Sequence, residues 1–503
     1  MKMVKTLLLG SAAGLMAVAG AQAADLPVKA KPVEYVKVCS LYGAGYYYIP
    51  GTDICMKVGG YVRYQSNWSN GGSSISNGPA EGTGGRNTRA DSSDWQQRTR
   101  AVATFDTRQQ TQYGTLRTYL LMGFQQDTTA GAPTTSPAVY ITRGFIQIAG
   151  FTFGKATSFY DFFPRAAIAY HAGSIFAPDT GDGGQIVAAY TAQLGNGVSA
   201  SIAAEHSQRK ATVAATGGAA GVTAQLPFAL GGAPTSNTLG AVGNTATGNP
   251  DIVANIRVDG AWGAFQLAGV LHDASASYYS NVSGFTESAG HPGNKWGWGI
   301  SPGLRINTPF IAAGDYFVVS GSYTQGAATF ASSSNSNSKL IWNGQNLAYG
   351  FLTDSVYGGN AASGNGTDVQ LTTAWSVAAA YEHYWTPNLH TSFYGSYLKV
   401  SHNATAQSLI CAGNATSTTL PMAATCNPDW SQWNVGSRSQ WDVTKGLYLG
   451  VDVLYTRLKS ASPNAANTLV ATANQGAKTS GTYTVADQSA WVAAFRIHRD
   501  IVP

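Results

Sequence analysis

The chain has 503 residues, of which 11% are charged and 44% hydrophobic, with 59 glycines and 26 tyrosines. Ordinary globular domains carry about 25% charged residues, so this scarcity of charge points to a membrane. Yet the mean hydropathy is −0.08, and no run reaches the roughly 20 consecutive apolar residues that a helical span requires. A cytosolic helical enzyme and a helical transporter are both excluded at this level.

The first segment reads as an export signal. Lys2 and Lys5 precede an apolar stretch from Leu7 to Ala19, and Ala21-Gln22-Ala23 has the small-x-small form of a cleavage site, so cleavage is expected after Ala23. The competing reading, an N-terminal anchor, suffers from a core too short to span a bilayer. Removal of residues 1–23 leaves 28 basic against 25 acidic residues, a net +3, too small and dispersed for a nucleic-acid partner. Four cysteines remain, and an even number in an exported chain suggests disulfides. Three pairings are possible; the sequence-local one, Cys39 with Cys55 and Cys411 with Cys426, closes short loops of similar length. Zinc is the competitor, but there is no CxxC, and no histidine lies within five residues of a cysteine.

The rest alternates apolar and polar residues with a period of two, the mark of strands with one apolar face. Leu447, Leu449, Val451, Val453 and Tyr455 share one face, opposed by Tyr448, Gly450, Asp452 and Leu454. Trp491, Ala493, Phe495 and Ile497 oppose Arg496 and His498 in the same way. Sixteen such segments are expected, near 59–68, 95–106, 114–125, 138–148, 151–157, 185–193, 198–206, 251–259, 264–273, 295–307, 315–325, 368–384, 389–401, 430–442, 446–459 and 488–498. Short turns such as 194–197, 260–263 and 443–446 alternate with long polar stretches at 69–94, 207–250, 274–294, 326–367, 402–429 and 460–487. The long stretches are rich in Gly, Ser, Thr, Ala and Asn, a composition expected to pack no core. Short turns at one rim and long loops at the other are the layout of an outer-membrane barrel. A soluble sandwich would share the alternation, but sixteen segments are too many for one. Trp68, Trp95, Phe105, Tyr113, Phe124, Tyr384, Trp385, Trp430, Trp441 and Trp491 fall near segment ends, where rings form interfacial girdles. A barrel this wide leaves a lumen that side chains cannot fill.

Several stretches resemble the porins of alphaproteobacteria, the rhizobial and brucella-type family. They are Ala24-Asp25-Leu26 through Val33-Glu34-Tyr35-Val36-Lys37-Val38-Cys39, Tyr42-Gly43-Ala44-Gly45-Tyr46, Tyr48-Ile49-Pro50-Gly51-Thr52, Cys55 and Gly60-Tyr61-Val62-Arg63. Arg98-Thr99-Arg100 to Phe105-Asp106, Tyr113-Gly114-Thr115-Leu116-Arg117 and Phe151-Thr152-Phe153-Gly154-Lys155 add to it. The resemblance implies a signal peptide at 1–23, an N-terminal periplasmic segment at 24–58 and a sixteen-stranded barrel at 59–503. It also implies a homotrimer in the outer-membrane lipid, without cofactor, passing small hydrophilic solutes and ions. An aromatic residue would close the last strand in such a porin, whereas this chain runs Phe495 to Pro503 with no terminal aromatic.

In such porins the loop after the fifth strand folds inward and narrows the channel. Here that loop is expected at 154–184, and its Pro178-Asp179-Thr180-Gly181-Asp182-Gly183 is similar to the acidic motif of general porins. Arg98, Arg100 and Arg143 are the expected facing wall, with Arg63 and Arg117 as further lumen candidates. Strand parity agrees, since Arg98 and Arg100 lie opposite Ala101, Ala103 and Phe105, and an arginine on the lipid face costs about 2–4 kcal/mol at mid-membrane. Arginines facing Asp161, Asp179 and Asp182 would set a transverse field that filters size and polarity together. The other reading places these arginines at the rims, capping loops or pairing with lipid phosphates.

Enzymatic constellations are missing from the sequence. There is no GxSxG elbow and no HExxH among eight histidines, and the paired glycines lack a nucleotide-loop context. Beside a general diffusion porin, three readings stay open: a solute-selective sugar-type channel, a rim enzyme on a smaller barrel, and a surface adhesin. The net charge and lumen arginines lean toward anions, while acids in the inward loop would oppose that.

Overall fold

Period-two alternation over nearly the whole chain leaves each strand with one apolar face and no partner helix. In the computed structural model the strands meet this demand by pairing with one another until the sheet closes. The structure describes residues 38–502 apart from 70–72, 75–77, 80–94, 130–131, 134–137, 182, 208–210, 216–248, 277, 282–283, 286, 333–337, 361–364, 414–421 and 472–480. The expected signal peptide at 1–23 lies outside the described residues.

Sixteen strands form the wall. They are β1 Cys55–Ser69, β2 Trp95–Thr111, β3 Gly114–Thr129, β4 Ala138–Ile148, β5 Phe151–Ala156, β6 Gln185–Gly195, β7 Val198–Glu205 and β8 Asp251–Gly260. The second half comprises β9 Gly263–Asp273, β10 Trp296–Asn307, β11 Tyr316–Gln325, β12 Thr373–Thr386, β13 Leu389–Ser401, β14 Trp430–Thr444, β15 Leu447–Lys459 and β16 Gln488–Asp500. Each pairs antiparallel with the next, as in Val451 opposite Ser439 on β14 and Phe495 on β16. Tyr61 to Ser69 on β1 pair with Asp500 to Val492 on β16 and close the ring. Closure removes every edge, the condition for crossing a bilayer with strands.

The faces separate as the alternation demands. Val451 and Val453 are 52% and 51% exposed on the outer face, whereas Asp452 and Leu454, which alternate with them, are fully buried. Large apolar side chains such as Ile256, Leu267 and Phe393 also stay exposed, inverting a soluble protein and suiting lipid. Trp68, Trp95, Trp385, Trp441 and Trp491 are exposed near strand ends, as a girdle requires. Trp430 corrects the expectation for its position: it is buried, donating its indole N–H to Phe351 O at 2.7 Å. At the β6–β7 turn, Asn196 and Gly197 have φ of 51° and 78°, the paired positive values of a tight hairpin.

The long loops overturn the expectation that they pack no core. The hairpin Ser338–Asn343 and Asn346–Phe351 is extended by Gly481–Val485 and Thr468–Ala471 into a four-stranded sheet. Leu340, Leu347, Phe351, Ile410, Leu469 and Val485 bury together there. The helix Ala404–Gly413 joins this cluster, and the disulfide Cys411–Cys426 lies within it. Sparse apolar residues in a Gly/Ser background suffice because strands from different loops pool them.

The described residues 38–55 belong to a compact unit of their own. Within it the disulfide Cys39–Cys55 is buried with Tyr46 beside a single 3-10 turn at Ser40–Tyr42.

Candidate functional site

β5 ends at Ala156 and β6 starts at Gln185, and the chain between them turns into the barrel. Its own side chains explain why: Tyr160, Phe162, Ile168, Ile175 and Phe176 are all buried, an apolar content a solvated loop would not keep. Two wall glycines make room, since a Cβ at Gly303 would overlap the Phe162 ring and one at Gly450 the Tyr170 hydroxyl.

Both sides of the barrel hold the loop's backbone. On one side Asn255 Nδ2 donates to Phe159 O at 2.5 Å and Gln266 Nε2 to Asp161 O at 3.0 Å. On the other, Tyr170 N–H donates to Asp452 Oδ2 at 2.6 Å and Arg438 Nη1 to Ala167 O at 2.7 Å. The Ser392 hydroxyl and the Asn434 amide also donate to the carbonyls of Ile168 and Ser174. Arg438 is itself clamped by both oxygens of Glu382, at 2.7 and 2.9 Å. The loop thus spans the lumen from β8 and β9 to β13–β15, and two cavities flank it, of about 460 and 570 Å3.

Arg98 and Arg100 line the 460 Å3 cavity together with Asp161 and Asp179. Arg98 forks onto Asp127 at 2.7 and 2.6 Å rather than onto the loop. Arg100 donates to Gln125 Oε1. Arg143 lines the other cavity and braces the loop's two ends, reaching Gly181 O at 2.8 Å and Thr157 Oγ1 at 3.1 Å. Arg63 lines the first cavity. Arg117 lines neither and pairs with Asp106 at 2.8 Å. Asp182 lies outside the described residues.

The loop carboxylates are engaged within the loop. Asp161 Oδ2 accepts from both Thr180 N–H and its hydroxyl at 2.6 Å. Asp179 accepts from Gly181 N–H at 2.7 Å and from Arg165 N–H and Nε–H at 2.9 and 3.1 Å. Burial, and after it the neighbouring Asp179 charge, push the Asp161 carboxyl upward against the Thr180 hydrogen bonds. Its side chain nevertheless keeps partial exposure to the lumen.

Sequence reasoning put Arg496 on a polar strand face without making it a site candidate, and passed over Arg165, Arg438 and Tyr170. A signal existed for the strand residues: Arg438 and Arg496 have inward parity, opposite the exposed Val435 and Trp441 and opposite Trp491. Arg165 and Tyr170 belong to a loop without period, where no such signal exists.

A closed antiparallel wall, apolar outside and polar within, defines an outer-membrane β-barrel whose lumen one loop crosses. The profile of the Porin subfamily matches residues 25–494, and the chain belongs to that family. It is 33% identical over 280 residues to Porin Omp2b of Brucella melitensis, covering 53% of this chain and 65% of that protein. Porin Omp2a of Brucella abortus is 46% identical over 123 residues, covering 24% of this chain and 34% of the relative. The chain therefore spans less than two thirds of the length of these curated relatives. Among solved structures, the outer membrane channel DcaP of Acinetobacter baumannii aligns with a TM-score of 0.54 at 12% identity, over 90% of this chain and 99% of that one, a likeness of fold.

Proposed function

We propose that the chain is a passive diffusion channel for small hydrophilic solutes and ions, narrowed by residues 157–184. The observation that carries this reading is a polar lumen crossed by a loop that both walls hydrogen-bond. A solute passing beside the loop exchanges its water for guanidinium, carboxylate and carbonyl groups, so size and polarity are filtered at one place. In this reading Arg98, Arg100, Asp161 and Asp179 line the narrow zone, Arg143 sets the loop's base, and Arg63 and Arg117 belong to the lumen wall. Asp182 would add a further acid. The family likeness supports a homotrimer, and export would remove residues 1–23 and leave 24–58 as the N-terminal segment, with Ala24 as the first residue on sequencing of the purified protein.

The test is conductance of the purified protein in a planar bilayer. Large steps in groups of three, open at low voltage, are expected, and silence from correctly folded protein would overturn the proposal. A second reading, a solute-selective sugar-type channel, draws on one observation. The inward rings of Tyr448 and His498 stack with centroids 4.6 Å apart and Tyr61 is tilted against His498 at 4.5 Å, an aromatic patch that a sugar ring can contact. Small steps blocked by one sugar class would favour it.

A further inference from the structure

Five arginines, Arg63, Arg98, Arg100, Arg165 and Arg496, line the 460 Å3 cavity against two carboxylates, Asp161 and Asp179. Their partners sort them. Arg98 is neutralised by Asp127 and Arg165 by Asp179. Arg496 instead donates to neutral acceptors, Gln65 Oε1 at 3.0 and 2.5 Å and Tyr170 O at 3.3 Å, with its guanidinium 3.9 Å from the Tyr170 ring centre. Arg63 lies 5.2 Å from the Tyr61 ring centre, and its buried Nε has no hydrogen-bond partner.

These two arginines line the same cavity from adjoining strands. Arg63 is paired in register with His498 and Gln65 with Arg496, so they are diagonal neighbours on one inner face. Among the described residues neither meets a carboxylate, and like charges in a lumen of reduced dielectric repel. Arg100, bonded to Gln125, flanks them in the same cavity. The carboxylates across the cavity already accept two or three hydrogen bonds each from the loop, which lowers their pull on the wall. Guanidinium forks match oxyanions in shape as well as charge.

We propose that Arg63 and Arg496, flanked by Arg100, form a binding site for small multivalent oxyanions on their way through the lumen. This deepens the channel reading and rests on it. An oxyanion bridging the pair cancels their repulsion, so the site selects doubly charged over singly charged anions and makes the channel anion-preferring.

The experiment uses the full protein in a planar bilayer, with folding checked by heat-modifiable migration. Reversal potential is taken across a potassium chloride gradient, then inorganic phosphate is titrated at neutral pH. The expected results are a potential of the sign set by anions and a chloride current reduced by millimolar phosphate. R63Q, which breaks no hydrogen bond among the described residues, should raise the blocking phosphate concentration about tenfold, the loss of one charge-assisted contact, and R496K should retain the block. Conducting channels with no anion preference and no phosphate block would overturn the oxyanion site while leaving the channel standing. A block unchanged in R63Q would overturn these residues as its seat. No conductance from folded protein would overturn the channel reading and the site together.

Discussion

The barrel wall and the long loops solve burial in opposite ways. The wall exposes its apolar residues and buries polar ones: Val451 and Val453 face out while Asp452 is fully buried between them. The loops behave as a water-soluble protein does, burying Leu340, Leu347, Phe351 and Leu469 and pinning them with Cys411–Cys426. One chain thus carries two hydrophobic patterns, and each region should break by its own mechanism.

The largest effect is expected in the loop core. Trp430→Ala removes a buried indole packed on Gly350 and bonded to Phe351 O, and such truncations cost about 3–5 kcal/mol. Limited proteolysis should then nick the loops while the barrel keeps its heat-modifiable migration. Simultaneous loss of both properties would mean that the two regions fold as one unit. On the wall, Val453→Arg places a charge on the outer face at mid-strand, at a cost of about 2–4 kcal/mol. The barrel's unfolding midpoint in urea should fall while loop proteolysis in the folded state stays unchanged.

Removal of the loop disulfide by C411S/C426S should be milder. It closes a sequence separation of 15, worth up to about 3 kcal/mol through the unfolded loop. Faster nicking between Ala404 and Trp430, with conductance kept, is the outcome to check.

The smallest effect concerns the inward loop, where apolar packing and polar anchoring meet. Burial holds the His171 imidazole below its ordinary value, with Asp452 opposing and Arg496 assisting. The released loop then binds a proton more readily than the docked one, so docking is complete above about pH 6.5 and weakens as pH falls below it, by at most about 1.4 kcal/mol per pH unit. Wild type should lose more thermal stability than H171Q between pH 7.5 and 5, and parallel losses would remove His171 from the account.

The wall was legible because its physics is periodic. The segment expected at 389–401 and the observed β13 Leu389–Ser401 coincide, as do those at 138–148 and β4, since a period-two pattern marks its own limits. Trp430 shows where that reading ends. Its place at a strand end fits a girdle, and only the hairpin carrying Gly350 and Phe351 reveals that it faces a packed cap. The site divides along the same line. Arg98 and Arg100 were expected in the lumen from parity and family motif together and Arg63 from the motif alone, and all three line the 460 Å3 cavity. The engagement of Asp179 by Arg165 depends on a loop conformation that no spacing encodes, and so does the anchoring of Ala167 by Arg438 from 271 residues away.

The most direct test is the size limit for uncharged sugars entering liposomes that hold wild-type protein, set beside a variant lacking residues 165–176, both verified as heat-modifiable barrels. If the loop crossing the lumen sets the pore, the shortened variant admits sugars that wild type excludes and admits the small ones faster. Identical limits and rates in the two folded proteins would contradict the assignment of the constriction to that loop.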